Sequence, residues 1–210
     1  CTVGEFRHRT VLLAEAVELL QPKAGRVMVD GTLGGGGHSE ALLEGGATVI
    51  GIARDPMALD AARARLSRFG DRFTALQGEF GDVLSLVKGP VDGFLLDLGV
   101  SSPQIDTPER GFSFQHDGPL DMRMAQHGQT AAELIATTDA GELADLIYRY
   151  GDERFSRQIA RQLKADLPQT TFAAVESVKK AVPRAAWPRD INVATRAFQA
   201  LRIAVNQELE

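Results

Sequence analysis

The stretch Arg26-Val27-Met28-Val29-Asp30-Gly31-Thr32-Leu33-Gly34-Gly35-Gly36-Gly37-His38 decides how the rest of the chain is read. Its first five residues form a short β-branched run that predicts a buried strand. The strand passes directly into glycines, and a helix is predicted from about His38 to Glu44, closed by Gly45-Gly46. Glycine is required where the backbone takes positive φ, or where a ligand comes too close for a Cβ. The N–H groups of the helix start then face that ligand. A flexible turn is the alternative, and the flanking strand and helix argue against it. Two nucleotide signatures fail: Ser39 stands where a dinucleotide fingerprint has its third glycine, and no Gly-Lys-Ser/Thr of a phosphate-binding loop occurs.

On either side of this loop, strand-like and helix-like segments alternate. Val11 to Leu20 has helical spacing and is closed by Pro22 and Gly25. Ala47 to Ala53 reads as a second buried strand, and Asp55-Pro56 as a cap opening a helix through about Arg68. Phe73 to Gln77 is a third strand and Val91 to Leu98 a fourth. This order predicts right-handed crossovers and a parallel sheet with helices on both faces. Ligands of such sheets bind at the carboxyl ends of the strands. The places to search are therefore Asp30 to His38, Ala53 to Asp55, Gly78 to Phe80 and Asp97 to Gln104.

The second half changes character. Gly99 to Gly128 is rich in proline and glycine and has little periodicity, and a loop of that length is more often functional than incidental. From Ala131 to about Val182 the pattern is helical, as in Ala140 to Tyr150 and Arg154 to Leu167. Pro183 to Asp190 is a break, and a last helix starts near Val193. The expected organisation is a core over 1–105, a loop-rich and helical insertion over 106–190, and the start of a return to the core over 191–210.

The 210 residues are 44% hydrophobic and 24% charged, an ordinary globular composition. No apolar run reaches membrane-span length and no secretory signal is visible, so a cytoplasmic protein without membrane attachment is expected. The one cysteine, Cys1, excludes an internal disulfide and a cysteine-based metal site. No metal is expected. The net charge of -5 argues against a broad nucleic-acid-binding face but leaves room for a local basic patch. The chain opens on Cys rather than Met and stops within a helical pattern at Asn206 to Glu210, so a fragment is expected. Oligomeric state is not legible.

The fourth strand runs into Asp97-Leu98-Gly99-Val100-Ser101-Ser102-Pro103-Gln104. A carboxylate at a dry strand end can accept from a cofactor or from an amino group; a cap or turn is the plain alternative for Asp97. The pattern D-x-x-x-G-x-G-G over Asp30 to Gly37 resembles the first motif of methyltransferases that modify exocyclic amino groups of bases. Further strings follow: Glu109-Arg110-Gly111-Phe112-Ser113-Phe114, Asp117-Gly118-Pro119-Leu120-Asp121-Met122-Arg123-Met124, and Tyr150-Gly151-Asp152-Glu153-Arg154-Phe155. With His8-Arg9-Thr10-Val11-Leu12-Leu13 near the start and Ala194 to Ile203 near the end, they cover essentially the whole chain. Together they resemble the bacterial family that methylates the exocyclic amino nitrogen of a cytosine in small-subunit ribosomal RNA, the MraW or RsmH type.

The resemblance implies an α/β fold: a Rossmann-like S-adenosylmethionine methyltransferase sheet with a helical insertion, its C-terminal strands missing from this chain. It implies S-adenosyl-L-methionine as cofactor and small-subunit ribosomal RNA, or the small subunit itself, as partner. The implied cofactor contacts are Gly34, Gly36, Gly37, His38, Phe80, Asp97 and Gln104. Phe80 could pack on an adenine ring or simply belong to the core, and His38 could simply cap its helix. Asp97, with Ser102 and Pro103, is expected nearest the reacting amino nitrogen, and Asp117 and Asp121 are further acceptors. For the substrate, Phe112 and Phe114 either stack on a splayed base or anchor their loop in the core. Arg110, Arg123, Arg196 and Arg202 either contact phosphate or are ion-paired. One position departs from the family pattern: where a carboxylate normally ends the second strand and binds ribose hydroxyls, this chain has Ala53. Three other readings remain: a methyltransferase of this fold acting on DNA or a small molecule, a non-catalytic RNA-binding homologue, and a nicotinamide oxidoreductase, whose fingerprint Ser39 and Ala53 break.

Overall fold

The computed structural model describes residues 10–125 and 127–209, so His8 and Arg9 of the first string lie outside the described residues. The chain divides into two units, Cys1–Pro103 and Gln104–Glu210.

In the first unit, α1 (Leu13–Leu20) starts two residues later than its apolar pattern predicts, because Leu12 sits in the left-handed region at φ 50°. The strands are β1 (Val27–Asp30), β2 (Thr48–Ala53), β3 (Phe73–Gln77) and β4 (Gly93–Leu95). All pair in parallel in the order β3-β2-β1-β4, as the alternation of elements requires. The chain steps outward from β1 to β3 and then returns to the other side of β1. The switch in direction therefore falls between β1 and β4, where the glycine loop and the Asp97 loop leave the sheet.

The crossover helix α2 (Gly37–Glu44) buries Leu42 and Leu43 against Met28, Val49 and Leu66, all fully buried. Each such side chain contributes about 1.5–3 kcal/mol, so Leu43→Ala would cost about 2–5 kcal/mol. Next comes α3 (Pro56–Leu66), whose Asp55 cap accepts from the Met57 N–H at 3.0 Å, with Pro56 in the first turn as expected. It ends at Leu66 rather than Arg68, and Ser67–Arg72 continues as 3-10 turns broken at Gly70. A 3-10 turn at Phe80–Asp82 and the short α4 (Val83–Leu86) follow β3.

The fourth strand is three residues long, not the eight of Val91 to Leu98. Its partner explains this. β1 ends at Asp30, Gly31 donates its N–H to the Leu95 carbonyl at 2.9 Å, and the glycine loop then turns away. Leu96 and Leu98, left without a ladder, are exposed.

Helix α5 (Ser102–Asp106) spans the division and supplies one of two short helical pieces within the long loop, the other being a 3-10 turn at Pro108–Arg110. The second unit is built from α6 (Ala131–Thr137), α7 (Ala140–Gly151), α8 (Ser156–Asp166), α9 (Thr171–Ala181) and α10 (Thr195–Asn206). Their starts follow from side chains: Thr130 and Glu133 form a capping box, Asp139 caps α7 and Thr170 caps α9. Ile135, Leu143, Ile147, Ile159, Leu163 and Leu201 fill the interior.

Residues 191–209 lie in the second unit and include its helix α10. α10 packs on α7, burying Phe198 and Leu201 in the helical core, because its apolar positions recur at helical spacing toward that core. It ends at Asn206, with Gln207 left-handed at φ 49°. Among the described residues, no helix is long and apolar enough to cross a membrane, and no cluster of ligating side chains could hold a metal.

Candidate functional site

Asp30, the last residue of β1, is 1% exposed and organises the glycine loop. One carboxylate oxygen accepts from the Thr32 N–H at 3.1 Å, the other from the Ser39 hydroxyl at 2.7 Å. Burial pushes this carboxyl above its ordinary range, opposed by those hydrogen bonds and by His38. The loop is further knitted to the sheet where the Leu33 N–H donates to the Ile52 carbonyl at 3.0 Å.

Gly36, at φ 80°, is the residue from which α2 starts, and it offers no side-chain cap to the first-turn N–H groups. Those donors and the positive end of the helix suit a carboxylate. Gly34, at φ 47°, would bring a Cβ only into ordinary contact with the Thr32 carbonyl oxygen at 3.8 Å. At Gly37 a Cβ would meet the Thr10 hydroxyl, so the segment before α1 lies against the loop.

His38 is buried, and its Nε2–H donates to the Val11 carbonyl at 3.0 Å. Its Nδ1 faces the Asp97 carboxylate at 3.9 Å. The Asp97 N–H donates to Thr32 Oγ1 at 2.6 Å. Thr32 thus carries the order imposed by Asp30 across to the β4 loop, while the Asp97 carboxylate stays open to solvent. Gly34, Gly36, Gly37, His38 and Asp97 therefore surround one strand-end region.

Phe80 opens the turn after β3 and is half-buried, with its Cβ beside Gly31. The Arg54 guanidinium lies 6.0 Å from its ring centroid and pairs with Glu79 at 3.1 Å. Ala53 ends β2 with its methyl among Leu33, Leu59 and Ala62. No side-chain acceptor stands at that position, and Asp55 is held as the α3 cap. The residues present fit the carboxylate-bearing end of an S-adenosylmethionine molecule. At Ala53 the end of β2 carries no side-chain carboxylate.

The remaining expected positions have these local partners. Ser102 and Pro103 open α5 instead of an extended loop. Gln104 lies in the second unit and is buried. Asp117 takes the Phe172 N–H at 3.0 Å at the start of α9, and this bond and the neighbouring threonines hold its carboxyl below the ordinary range. Asp121 and Arg123 clasp each other through two 2.7 Å hydrogen bonds. Burial alone would raise the Asp121 carboxyl, but Arg123 outweighs it and holds the group low.

Arg110 donates to the carbonyls of Arg123 and Met124 at 3.1 and 3.2 Å. Phe112 packs on the helical core, and Phe114 meets Phe198 edge-to-face at 5.0 Å. Both rings pack on the helical core, beside the loop's own buried Leu120 and Met122. Arg202 pairs with Glu208 at 2.9 Å, and Arg196 donates to the Asp152 carbonyl at 3.1 Å.

Thr32, Ser39 and the Val11 carbonyl were not singled out from sequence. The signal was faint: a threonine two residues and a serine nine residues after a strand-ending aspartate.

A model of the MraW methylase family matches residues 5–210. The chain is 62% identical to a ribosomal RNA small subunit methyltransferase H of Myxococcus xanthus strain DK1622, an alignment covering 100% of this chain and 69% of that protein. Proteins of the same name from Anaeromyxobacter sp. strain Fw109-5 and from Geobacter sulfurreducens are 52% and 51% identical. They are matched over 98% and 97% of this chain, and 69% and 70% of their own lengths.

Proposed function

Because the chain belongs to the MraW methylase family, we propose that it is an S-adenosylmethionine-dependent enzyme acting on small-subunit ribosomal RNA, with the exocyclic amino nitrogen of a cytosine as acceptor. The observation that carries the reading is the strand-end constellation of an uncapped α2 start, His38, and an exposed Asp97 locked to Thr32. S-adenosylmethionine, when bound, supplies an electrophilic methyl group on a sulfonium.

Gly34, Gly36, Gly37 and His38 form the cradle, and the first-turn N–H groups of α2 hold its carboxylate. Phe80 offers a flat apolar face for its adenine. The Asp97 carboxylate accepts from an amino group, either the cofactor's or the cytosine's. Accepting from the cytosine would orient a nitrogen whose lone pair is otherwise delocalised into the ring. Ser102 and Pro103 open α5, the helix that follows. In-line displacement gains mainly from positioning, so a strong base is not needed: with bound S-adenosylmethionine supplying the methyl group, Asp97 would orient the accepting nitrogen, and that nitrogen's proton would pass to water after transfer.

Incubation with labelled S-adenosylmethionine and unmodified small ribosomal subunits tests this. Label in a cytosine of the RNA is expected, and unlabelled RNA would overturn the reading. Ala53 favours a second reading, a homologue that binds RNA without catalysis. RNA retention without measurable cofactor binding would support it instead.

A further inference from the structure

Of the ten arginines of the second unit, Arg184 and Arg189 lie in the break before α10, three are held by partners and five are not ion-paired among the described residues. Arg123 and Arg202 are ion-paired, and Arg110 is committed to main-chain carbonyls. Arg149, Arg154, Arg157, Arg161 and Arg196 make no ion pair among the described residues. The fold gathers these five around the α7–α8 turn.

Arg149 is in the last turn of α7, exposed on the side away from buried Ile147. Arg154 lies in the turn itself, stacked 4.9 Å from the Phe155 ring centroid. Arg157 is exposed in the first turn of α8, and Arg161, one turn on, donates to the Arg157 carbonyl at 3.2 Å. Arg196 enters from the start of α10, and its bond to the Asp152 carbonyl fixes it to the same turn. That approach is permitted by Gly151, where any Cβ would strike the Arg196 carbonyl. These two carbonyl contacts leave the guanidinium charges uncompensated. Of the two acids in the turn, Glu153 is buried and accepts the Phe155 N–H at 2.9 Å, while Asp152 remains at the surface. Tyr148, 61% exposed, adds an aromatic face beside Arg149.

A concentration of unpaired arginine on a chain of net charge -5 needs an anionic counterpart. Fork-shaped donors next to an exposed aromatic suit phosphodiesters flanked by bases. We propose that the α7–α8 turn is a docking surface for the phosphate backbone of the substrate RNA. The inference rests on the reading of the chain as an RNA-modifying enzyme.

The test compares wild type, the triple variant R149A/R154A/R157A and the triple lysine variant, all as the full chain. Binding to an unmodified small-subunit ribosomal RNA transcript is titrated across a salt series. Each lost phosphate contact lowers the log-log salt slope by about 0.7–0.9. The alanine variant should therefore lose about 2–3 units of slope and about tenfold or more in affinity. The lysine variant should keep the slope, and calorimetric S-adenosylmethionine binding should match wild type in both. Equal slope and affinity in the alanine variant would overturn the docking surface, and so would retention of RNase-treated subunits by this face. In either case, methylation of small subunits by the wild type would leave the functional reading intact. A wild type that neither methylates nor binds RNA would remove that reading, and the docking surface with it.

Discussion

The main-chain N–H of Asp97 donates to the hydroxyl of Thr32 at 2.6 Å, joining the loop that ends β4 to the one that ends β1. Thr32 is itself placed by Asp30, so a buried carboxylate governs the position of an exposed one at the neighbouring strand end. Thr32→Val keeps the shape and removes the acceptor, leaving an N–H to find water. Cofactor affinity by calorimetry should fall about tenfold, the equivalent of about 1.4 kcal/mol. Thr32→Ser should restore it, and an unchanged Kd for the valine variant would remove Asp97 positioning from the argument.

Ala53→Asp should tighten cofactor binding by about one to two decades, since a hydrogen bond to a charged group contributes about 1.5–3 kcal/mol. The same carboxylate would enter the cluster of Leu33, Leu59 and Ala62, so the free protein should melt at lower temperature. The two effects have opposite signs and are read separately, by calorimetry and by thermal unfolding. Unchanged affinity would show that the ribose does not reach this strand end.

Acid and neutral pH act on two carboxylates in opposite senses. Asp30 has its folded pKa raised, so its contribution is complete below the unfolded value and is lost as pH rises through the folded one. Asp121 has its folded pKa lowered, so its contribution holds above the unfolded value and is lost as pH falls through the folded one. Urea unfolding across pH should therefore show Asp30→Asn flattening the decline toward neutrality and Arg123→Met flattening the acid limb. Identical pH profiles for wild type and variants would contradict both assignments.

Asn206 donates to the Met122 carbonyl and accepts from the Met124 N–H, each at 2.8 Å, holding fully buried Met122 at φ 64°. Removing this bracket strands two main-chain groups in the interior. Asn206→Ala should cost about 2–4 kcal/mol by urea midpoint. A loss under 1 kcal/mol would mean that water replaces the amide.

The parallel sheet was legible because β1 and β2 are β-branched runs flanked by glycine, and because Asp55-Pro56 can hardly be anything but a helix start. The end of β4 was not, since Leu96 and Leu98 look like core in a string of letters. Only the early end of β1 shows that they have no ladder to join. Asp97 and the glycines were found from spacing and resemblance. Thr32 was missed because its role depends on a contact spanning 65 positions. Phe112 and Phe114 kept two readings until the helical core supplied Phe198 as a neighbour for the second.

The Asn206 bracket also sets an order of events. Met122 and Asn206 are 84 positions apart, and the left-handed turn at Met122 has little local reason to form. A chain emerging from its own ribosome can wind α6 through α9 before residue 206 exists. The Leu120-to-Met124 segment, already tied through Leu120 to Gln169 and through Met122 to Arg110, gains its Asn206 bracket only once α10 is made. The Asn206 bracket spans more of the sequence than the other tertiary hydrogen bonds of this segment, so its closing step should be slower than helix formation. A chain halted before Asn206 should hold helices around a loop still open to proteolysis.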